Sequence, residues 1–145
     1  MLDYDLKELE KLLIEIGDPS LKERIILTGY VKNTDLPAIY SQCEVFLYPS
    51  LRESFGIPLL EGMACGVPVI TSNSSSMPEI AGNAAYLVDP FNPGEITTAM
   101  IKVTGNESLR KELISKGEIQ AEKFSWRAMA ENVLSIYKEI YSQGK

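Results

Sequence analysis

The sequence predicts an α/β domain in which a parallel sheet is covered by helices on both faces. Runs of about four residues, Ile25–Thr28, Val45–Tyr48, Val69–Thr71 and Ala85–Val88, are nearly continuous in apolar character, as strands buried on both faces are. Segments with apolar residues at helical spacing alternate with them, and that alternation builds a parallel sheet. The length of 145 residues suits one globular domain with its own core.

The elements follow in order. Leu6, Leu9, Leu12, Leu13 and Ile16 recur at helical spacing until Gly17-Asp18-Pro19 stops them. The strand Ile25–Thr28 ends at Gly29. Thr34 or Asp35 caps a helix running to about Cys43, with Pro37 in the first turn, where a missing N–H costs little. Pro49 ends the strand Val45–Tyr48, and a loop runs to about Phe55. A helix over Gly56–Ala64, a strand over Val69–Thr71, a loop over Asn73–Ser76, a helical turn over Met77–Ile80 and a strand over Ala85–Val88 come next. Helices close the chain over about Gly94–Thr104, Ser108–Lys123 and Ser125–Tyr141. The domain proper is expected over 1–124, with 125–145 a separable C-terminal helix. Its stripe of Met129, Val133, Ile136, Tyr137 and Ile140 packs either on its own core or on a neighbouring domain. Ser125 is the expected N-cap and Trp126 the expected anchor of its start.

Composition removes several classes of function. Hydrophobic residues at 45% and charged residues at 23% are ordinary for a soluble protein. No apolar run approaches the length that spans a bilayer. The N-terminus has no signal peptide's basic start, apolar middle and small-residue cleavage site, so the expected compartment is cytoplasmic. A net charge of −6 without a basic run argues against a nucleic-acid surface. Cys43 and Cys65 form no CxxC and have no histidine to complete a zinc site; they read as small buried apolar side chains. Without histidine the commonest general base is gone, as are Ser-His and Cys-His nucleophiles. Any chemistry rests on carboxylates, backbone dipoles or the substrate's own groups.

Sheets of this kind place their sites beyond the carboxyl ends of the strands, here the loops after Thr28, Tyr48, Thr71 and Val88. The loop after Tyr48 holds the informative segment, Glu53-Ser54-Phe55-Gly56-Ile57-Pro58-Leu59-Leu60-Glu61. Gly56 permits tight curvature and close approach by a ligand. The helix that starts there offers unpaired N–H groups and a partial positive charge, which suits phosphate. Ionised carboxylates only accept hydrogen bonds and so suit vicinal hydroxyls; Glu53 and Glu61 stand one on each side of that helix start. By spacing alone they read more readily as an ordinary loop carboxylate and a helix-surface charge, since two glutamates eight residues apart are common.

The surrounding text decides between these readings. The run YPSLRESFGIPLLEGMACGVPVITSNSSSMPEIAGNAAYLVDP closely resembles family 4 glycosyltransferases, whose signature E-x7-E, in the context E-x-F-G-x-P-x-x-E, is matched from Glu53 to Glu61. The flanking ILTGYV, LPAIYSQCEVFLYPS and FSW match in order, so the resemblance covers essentially the whole chain. It implies a GT-B fold of two Rossmann-like domains facing a cleft. This chain would be the C-terminal, donor-binding one, a three-layer parallel sheet lacking its first strand–helix unit of roughly 40 residues. The implied activity is transfer of a sugar from a nucleotide diphosphate sugar to an acceptor hydroxyl with retention, the leaving phosphate taking the acceptor proton.

Residue by residue, the resemblance makes Glu53 the catalytic-site carboxylate that orients the donor sugar without acting as a nucleophile. Ser54, Phe55, Gly56 and Ile57 form the loop whose amides meet sugar and diphosphate, and Glu61 binds the ribose hydroxyls. Gly29-Tyr30-Val31, with Lys32, matches the turn beside the nucleobase. Glu79 carries little weight as a ligand, because helix capping explains it as well. The family's diphosphate-clamping Arg and Lys fall in the missing unit; Arg52 and Lys32 are not convincing replacements, and the isolated chain is expected to be inactive. No metal or other cofactor is expected. Asp3-Tyr4-Asp5 spells the D-x-D of the other large glycosyltransferase fold, but beside a helix start it reads as an N-cap.

The implied partners are the nucleotide sugar and an N-terminal acceptor domain. Peripheral membrane association of the parent enzyme, and a homodimer through an exposed sheet edge or the apolar last helix, are further expectations. Two other readings compete: a non-catalytic half that assembles with a separate acceptor subunit, and a GT-B enzyme of another kind such as a nucleotide-sugar epimerase. The epimerase needs acid and base groups that this chain does not display.

Overall fold

A computed structural model describes residues 6–143. Met1, and Asp3 and Asp5 with their expected capping role, lie outside the described residues. The chain divides into two compact units, Met1–Lys32 and Asn33–Lys145.

In the first unit, helix α1 (Leu6–Ile16) stops at Gly17, whose φ of +74° only glycine takes without strain. A 3-10 turn over Pro19–Arg24 follows. Asp18 caps it: its Oδ1 accepts the Ser20 N–H at 3.0 Å and the Ser20 hydroxyl, and these bonds hold its carboxyl below the usual range. Lys22 reaches back to Glu10 at 2.8 Å. The strand expected over Ile25–Thr28 does not form: these residues join no ladder, and Ile26 is 84% exposed. An apolar quartet supplies strand propensity, but a parallel strand exists only where a neighbour takes its N–H and C=O groups.

The second unit carries the sheet. Helix α2 (Leu36–Tyr40) is shorter than expected. Asp35 stands at its N-cap without a side-chain cap bond, accepting instead from Thr34 Oγ1 at 3.1 Å. Strands β1 (Phe46–Tyr48), β2 (Val69–Ser72) and β3 (Ala85–Val88) are all parallel, in the order β1-β2-β3. Phe46 pairs with Val69 and Tyr48 with Thr71; Val69 pairs with Ala85 and Ser72 with Val88. Each of α3 (Ile57–Ala64), α4 (Met77–Ala81) and α5 (Pro93–Thr104) has Pro in its first turn, where the helix needs no N–H donor. Asn92 caps α5 through the Glu95 N–H, and Asn106 caps α6 (Glu107–Glu122) through the Leu109 N–H. Ser125 caps α7 (Trp126–Gln143), accepting the Ala128 N–H at 3.1 Å as predicted.

The alternation along β2 sorts the core into two layers. Val69 packs with Leu59 and Met63 of α3 and with Met77 and Ile80 of α4. Ile70 packs on the other face with Ala99 and Val103 of α5 and Leu113 of α6. This is the Rossmann-like, three-layer α/β arrangement that the strand pattern predicts. Fully buried Leu59 and Met63 each contribute about 1.5–3 kcal/mol. Gly62 lets α3 approach the sheet: a Cβ there would sit 2.8 Å from the Phe46 ring.

The anchor of α7 differs from the expectation. Trp126 is 74% exposed, whereas Phe124, one residue before the cap, packs on the α3–α4 layer. An apolar residue just before an N-cap commonly packs down and fixes the angle at which the chain enters the helix. No residue of α7 is fully buried. Cys43 and Cys65 are free thiols, half-buried rather than buried. Among the described residues no helix is long and apolar enough to cross a membrane.

Candidate functional site

Parallel strands put the ends of β1, β2 and β3 on one edge of the sheet, so the loops after Tyr48, Ser72 and Val88 share it. Thr71 fixes that edge by donating its hydroxyl to the Tyr48 carbonyl at 2.8 Å. The loop from Pro49 to Gly56 is held by the loop after β2. Ser75 Oγ accepts the Glu53 N–H at 3.1 Å and donates to the Glu53 carbonyl at 2.7 Å. Ser76 Oγ lies 3.0 Å from the Glu53 carbonyl and 3.1 Å from that of Phe55. Ser75 does this from a φ of +57°, a conformation that disfavours every residue but glycine. The serine run therefore fixes the backbone that carries Glu53.

The Glu53 side chain is fixed from the strand side. Its Oε1 accepts the Tyr48 hydroxyl at 2.5 Å and the Ser50 hydroxyl at 3.2 Å, while Oε2 has no hydrogen-bond partner among the described residues. Glu61, in the second turn of α3, accepts the Tyr40 hydroxyl on Oε2 at 3.3 Å, and its Oε1 is likewise without a partner among them. Both tyrosine hydroxyls are pushed up to about 12, by burial first and then by the carboxylate each one faces. Burial and Glu61 also raise the Cys65 thiol.

The tyrosines connect the two acids. Tyr40 meets the edge of Phe46 with ring centroids 5.0 Å apart, and Phe46 stacks on Tyr48 at 5.8 Å. A continuous row therefore runs Glu61–Tyr40–Phe46–Tyr48–Glu53, with its middle over Gly62 of α3. The carboxylates end one strip of rings on one face of the sheet rather than opposite sides of the fold.

Between them in sequence lies the start of α3. Gly56 has φ +103° and ψ +51°, and a Cβ on it would strike the buried Met77 side chain. The N–H groups of Phe55, Gly56 and Ile57 have no acceptor among the described residues, and Pro58 has none to offer. Unpaired amides at a helix start attract an anion. Below them a groove of about 730 Å³ separates α3 (Ile57, Leu60, Glu61) from α7 (Met129, Val133, Ile136). Its walls are mainly apolar, so it suits packing by another polypeptide better than a phosphate.

The remaining expected residues are placed less informatively. Ser54 is exposed, and Phe55 meets Phe124 edge-on at 5.7 Å. Gly29, Tyr30 and Val31 belong to the first unit, with Gly29 at φ +61° and Tyr30 86% exposed. Arg52, Lys32 and Glu79 are exposed. Glu79 makes no cap bond, and Ser76, at the cap position of α4, spends its hydroxyl on the Glu53 loop. Among the described residues no group of three or more His, Cys, Asp or Glu converges on a point where a metal ion would sit. Sequence reasoning missed Tyr40, Tyr48, Ser50, Ser75 and Ser76. The available signal was a hydroxyl-rich neighbourhood, Tyr-Pro-Ser before Glu53 and three serines after β2.

Comparison with known proteins adds an independent line. Residues 5–120 match the family model described as glycosyl transferases group 1. O-antigen chain mannosyltransferase B of Escherichia coli is 39% identical over 110 residues, covering 76% of this chain and 29% of that protein. A sucrose-phosphate synthase from Thermosynechococcus elongatus superposes with a TM-score of 0.81 at 25% identity, covering 94% of this chain and 34% of that one. Anabaena HepE, solved in complex with UDP and glucose, shares the fold with a TM-score of 0.78 at 21% identity, over 92% of this chain and 36% of its own. The chain thus spans about a third of the length of these proteins. The extent of the family match, together with the two acids flanking a helix start, shows that the chain belongs to the group 1 glycosyl transferases as a C-terminal GT-B domain.

Proposed function

We propose that this domain binds the donor of a retaining glycosyltransferase, a nucleoside diphosphate sugar, and works with a second, acceptor-binding domain. Glu61 accepts from the ribose hydroxyls, Glu53 from hydroxyls of the donor sugar, and the amides of Phe55, Gly56 and Ile57 face the diphosphate. The observation that carries this reading is the aromatic row: two carboxylates, each with one oxygen to spare, are held at its ends beside a helix start with unpaired amides. The UDP and glucose bound by HepE, which shares the fold, support it.

In the reaction the bond from the anomeric carbon to the leaving phosphate oxygen breaks. A bond from that carbon to the acceptor oxygen forms on the same face, and the acceptor proton passes to the leaving phosphate. Charge building on that phosphate is stabilised by the α3 amides, and Glu53 orients the sugar. The reading uses no metal or other cofactor, places the enzyme in the cytoplasm and is compatible with peripheral membrane association of the parent enzyme.

Calorimetric titration of the chain extended upstream with UDP, GDP and ADP tests the assignment. One of them is expected to bind, and Glu61→Ala to weaken it by about 1–3 kcal/mol through lost hydrogen bonds. Equal affinity after the change removes Glu61 from the ribose site. The 145-residue chain alone is expected to bind weakly and to turn nothing over.

A second reading is favoured by α7, whose Met129, Val133, Ile136, Tyr137 and Ile140 are all exposed. There the acceptor half is a separate subunit docked on α7, or a second copy pairs along the outer edge of β1. Co-purification of a second chain, or a dimer in sedimentation equilibrium, distinguishes these arrangements from a single two-domain polypeptide.

A further inference from the structure

We propose that Tyr40 and Tyr48 are positioning residues of the donor site, each holding one oxygen of its glutamate so that the other faces the ligand. The proposal rests on the donor-site reading above. It stands on geometry: Tyr48 donates to Glu53 Oε1 and Tyr40 to Glu61 Oε2, while Glu53 Oε2 and Glu61 Oε1 have no partner among the described residues. A glutamate has three side-chain torsions and loses rotamer freedom when it is fixed. The Tyr40 bond to Glu61, and the Tyr48 bond to Glu53 with the longer one from Ser50 beside it, remove much of that freedom before the ligand arrives, the ordinary basis of preorganisation. The tyrosines are themselves held by packing, because Tyr40 lies edge-on with Phe46 and Tyr48 stacks on it, and the Phe46 ring lies against Gly62. Their hydroxyls stay protonated at neutral pH, with both titrations moved up to about 12, so they remain donors throughout the working range.

The two tyrosines then divide the ligand between them. Tyr40 acts only through Glu61 and governs the ribose end; Tyr48 acts only through Glu53 and governs the sugar end. A tyrosine that merely supported the fold would weaken every ligand alike.

The test uses Tyr40→Phe and Tyr48→Phe in the full-length protein, since both keep the ring and remove only the donor. Calorimetry compares UDP, GDP and ADP, the 2′,3′-dideoxy form of whichever binds, and the glucose and mannose derivatives of that nucleotide. Tyr40→Phe is expected to weaken the ribonucleotide about three- to tenfold, the effect of about one hydrogen bond, and to leave the dideoxy form unchanged. Tyr48→Phe is expected to leave the free nucleoside diphosphate unchanged and to weaken the nucleotide sugar by a similar factor. The unchanged ligand in each case also reports that the variant is folded. Equal loss for ribo and dideoxy forms, or no change in either, overturns the role of Tyr40. Equal loss for nucleotide and nucleotide sugar, or no change in either, overturns that of Tyr48. Glu61→Ala separates the two levels of inference. If it weakens the ribonucleotide selectively while Tyr40→Phe does not, the donor site stands and the positioning role falls; if it too is without selective effect, both fall.

Discussion

Replacing Gly56 by alanine tests whether the start of α3 is as tightly set as the geometry requires. The glycine sits at φ +103° and ψ +51°, where an L side chain costs about 1–2 kcal/mol. Its missing Cβ would strike the Met77 side chain, which is fully buried in the α3–α4 layer. Moving a well-packed side chain aside costs about 1–3 kcal/mol more. The sum, about 2–5 kcal/mol, is a large part of the roughly 5–15 kcal/mol that holds a typical domain folded. Urea unfolding followed by circular dichroism reads the loss as a lower midpoint at unchanged slope. The collision is isolated by a double-mutant cycle with Met77→Ala, which alone costs about 2–5 kcal/mol. Once the methionine is short, the Gly56→Ala penalty shrinks to its backbone part, so the pair is less destabilised than the sum by about 1–3 kcal/mol. A Gly56→Ala protein within about 0.5 kcal/mol of the parent, or an additive cycle, refutes the reasoning about close approach at this turn.

Two further predictions concern the side chains around Glu53 and Glu61. Tyr40 and Tyr48 titrate in the fold near 12 against an ordinary value of 10.0. Their contribution to stability is therefore complete below about pH 10 and is lost as pH rises toward 12, because the unfolded chain ionises first; absorbance of tyrosinate near 295 nm should lose its latest-titrating component in the Tyr40→Phe, Tyr48→Phe double variant. Ser75→Ala removes both bonds to Glu53 and keeps the positive φ, while Ser75→Gly removes the bonds and relieves the backbone. The glycine variant should therefore be the more stable of the two by about 1 kcal/mol in urea unfolding; the opposite order refutes the strain at this position.

Much of the second unit was legible because its signals are local. Val69–Thr71 has no polar side to turn to water, Pro58 marks a helix start, and Ser125 precedes an apolar stripe. The strand expected at Ile25–Thr28 failed for a non-local reason: nothing in four residues says whether a neighbouring strand is present. The same limit governed the site. Glu53, Gly56 and Glu61 could be chosen because their spacing is written in one segment. Tyr40 and Tyr48 read only as residues within a helix and at the end of a strand, since their hydroxyls find partners 21 and 5 residues away. Trp126 is the expected anchor, but it is exposed and Phe124, just before the cap, takes the packing position.

The seat of Phe46 against Gly62 has a practical side for anyone wishing to move this motif to another scaffold. Transplanting residues 53–61 alone would carry both acids but leave behind the rings that brace them. The smallest portable cassette runs from Tyr40 through β1, the loop, α3 and β2 to Ser76, because the serines after β2 hold the loop that carries Glu53. Within it, a larger residue at position 62 would lift the helix from the strand and spread the acids apart.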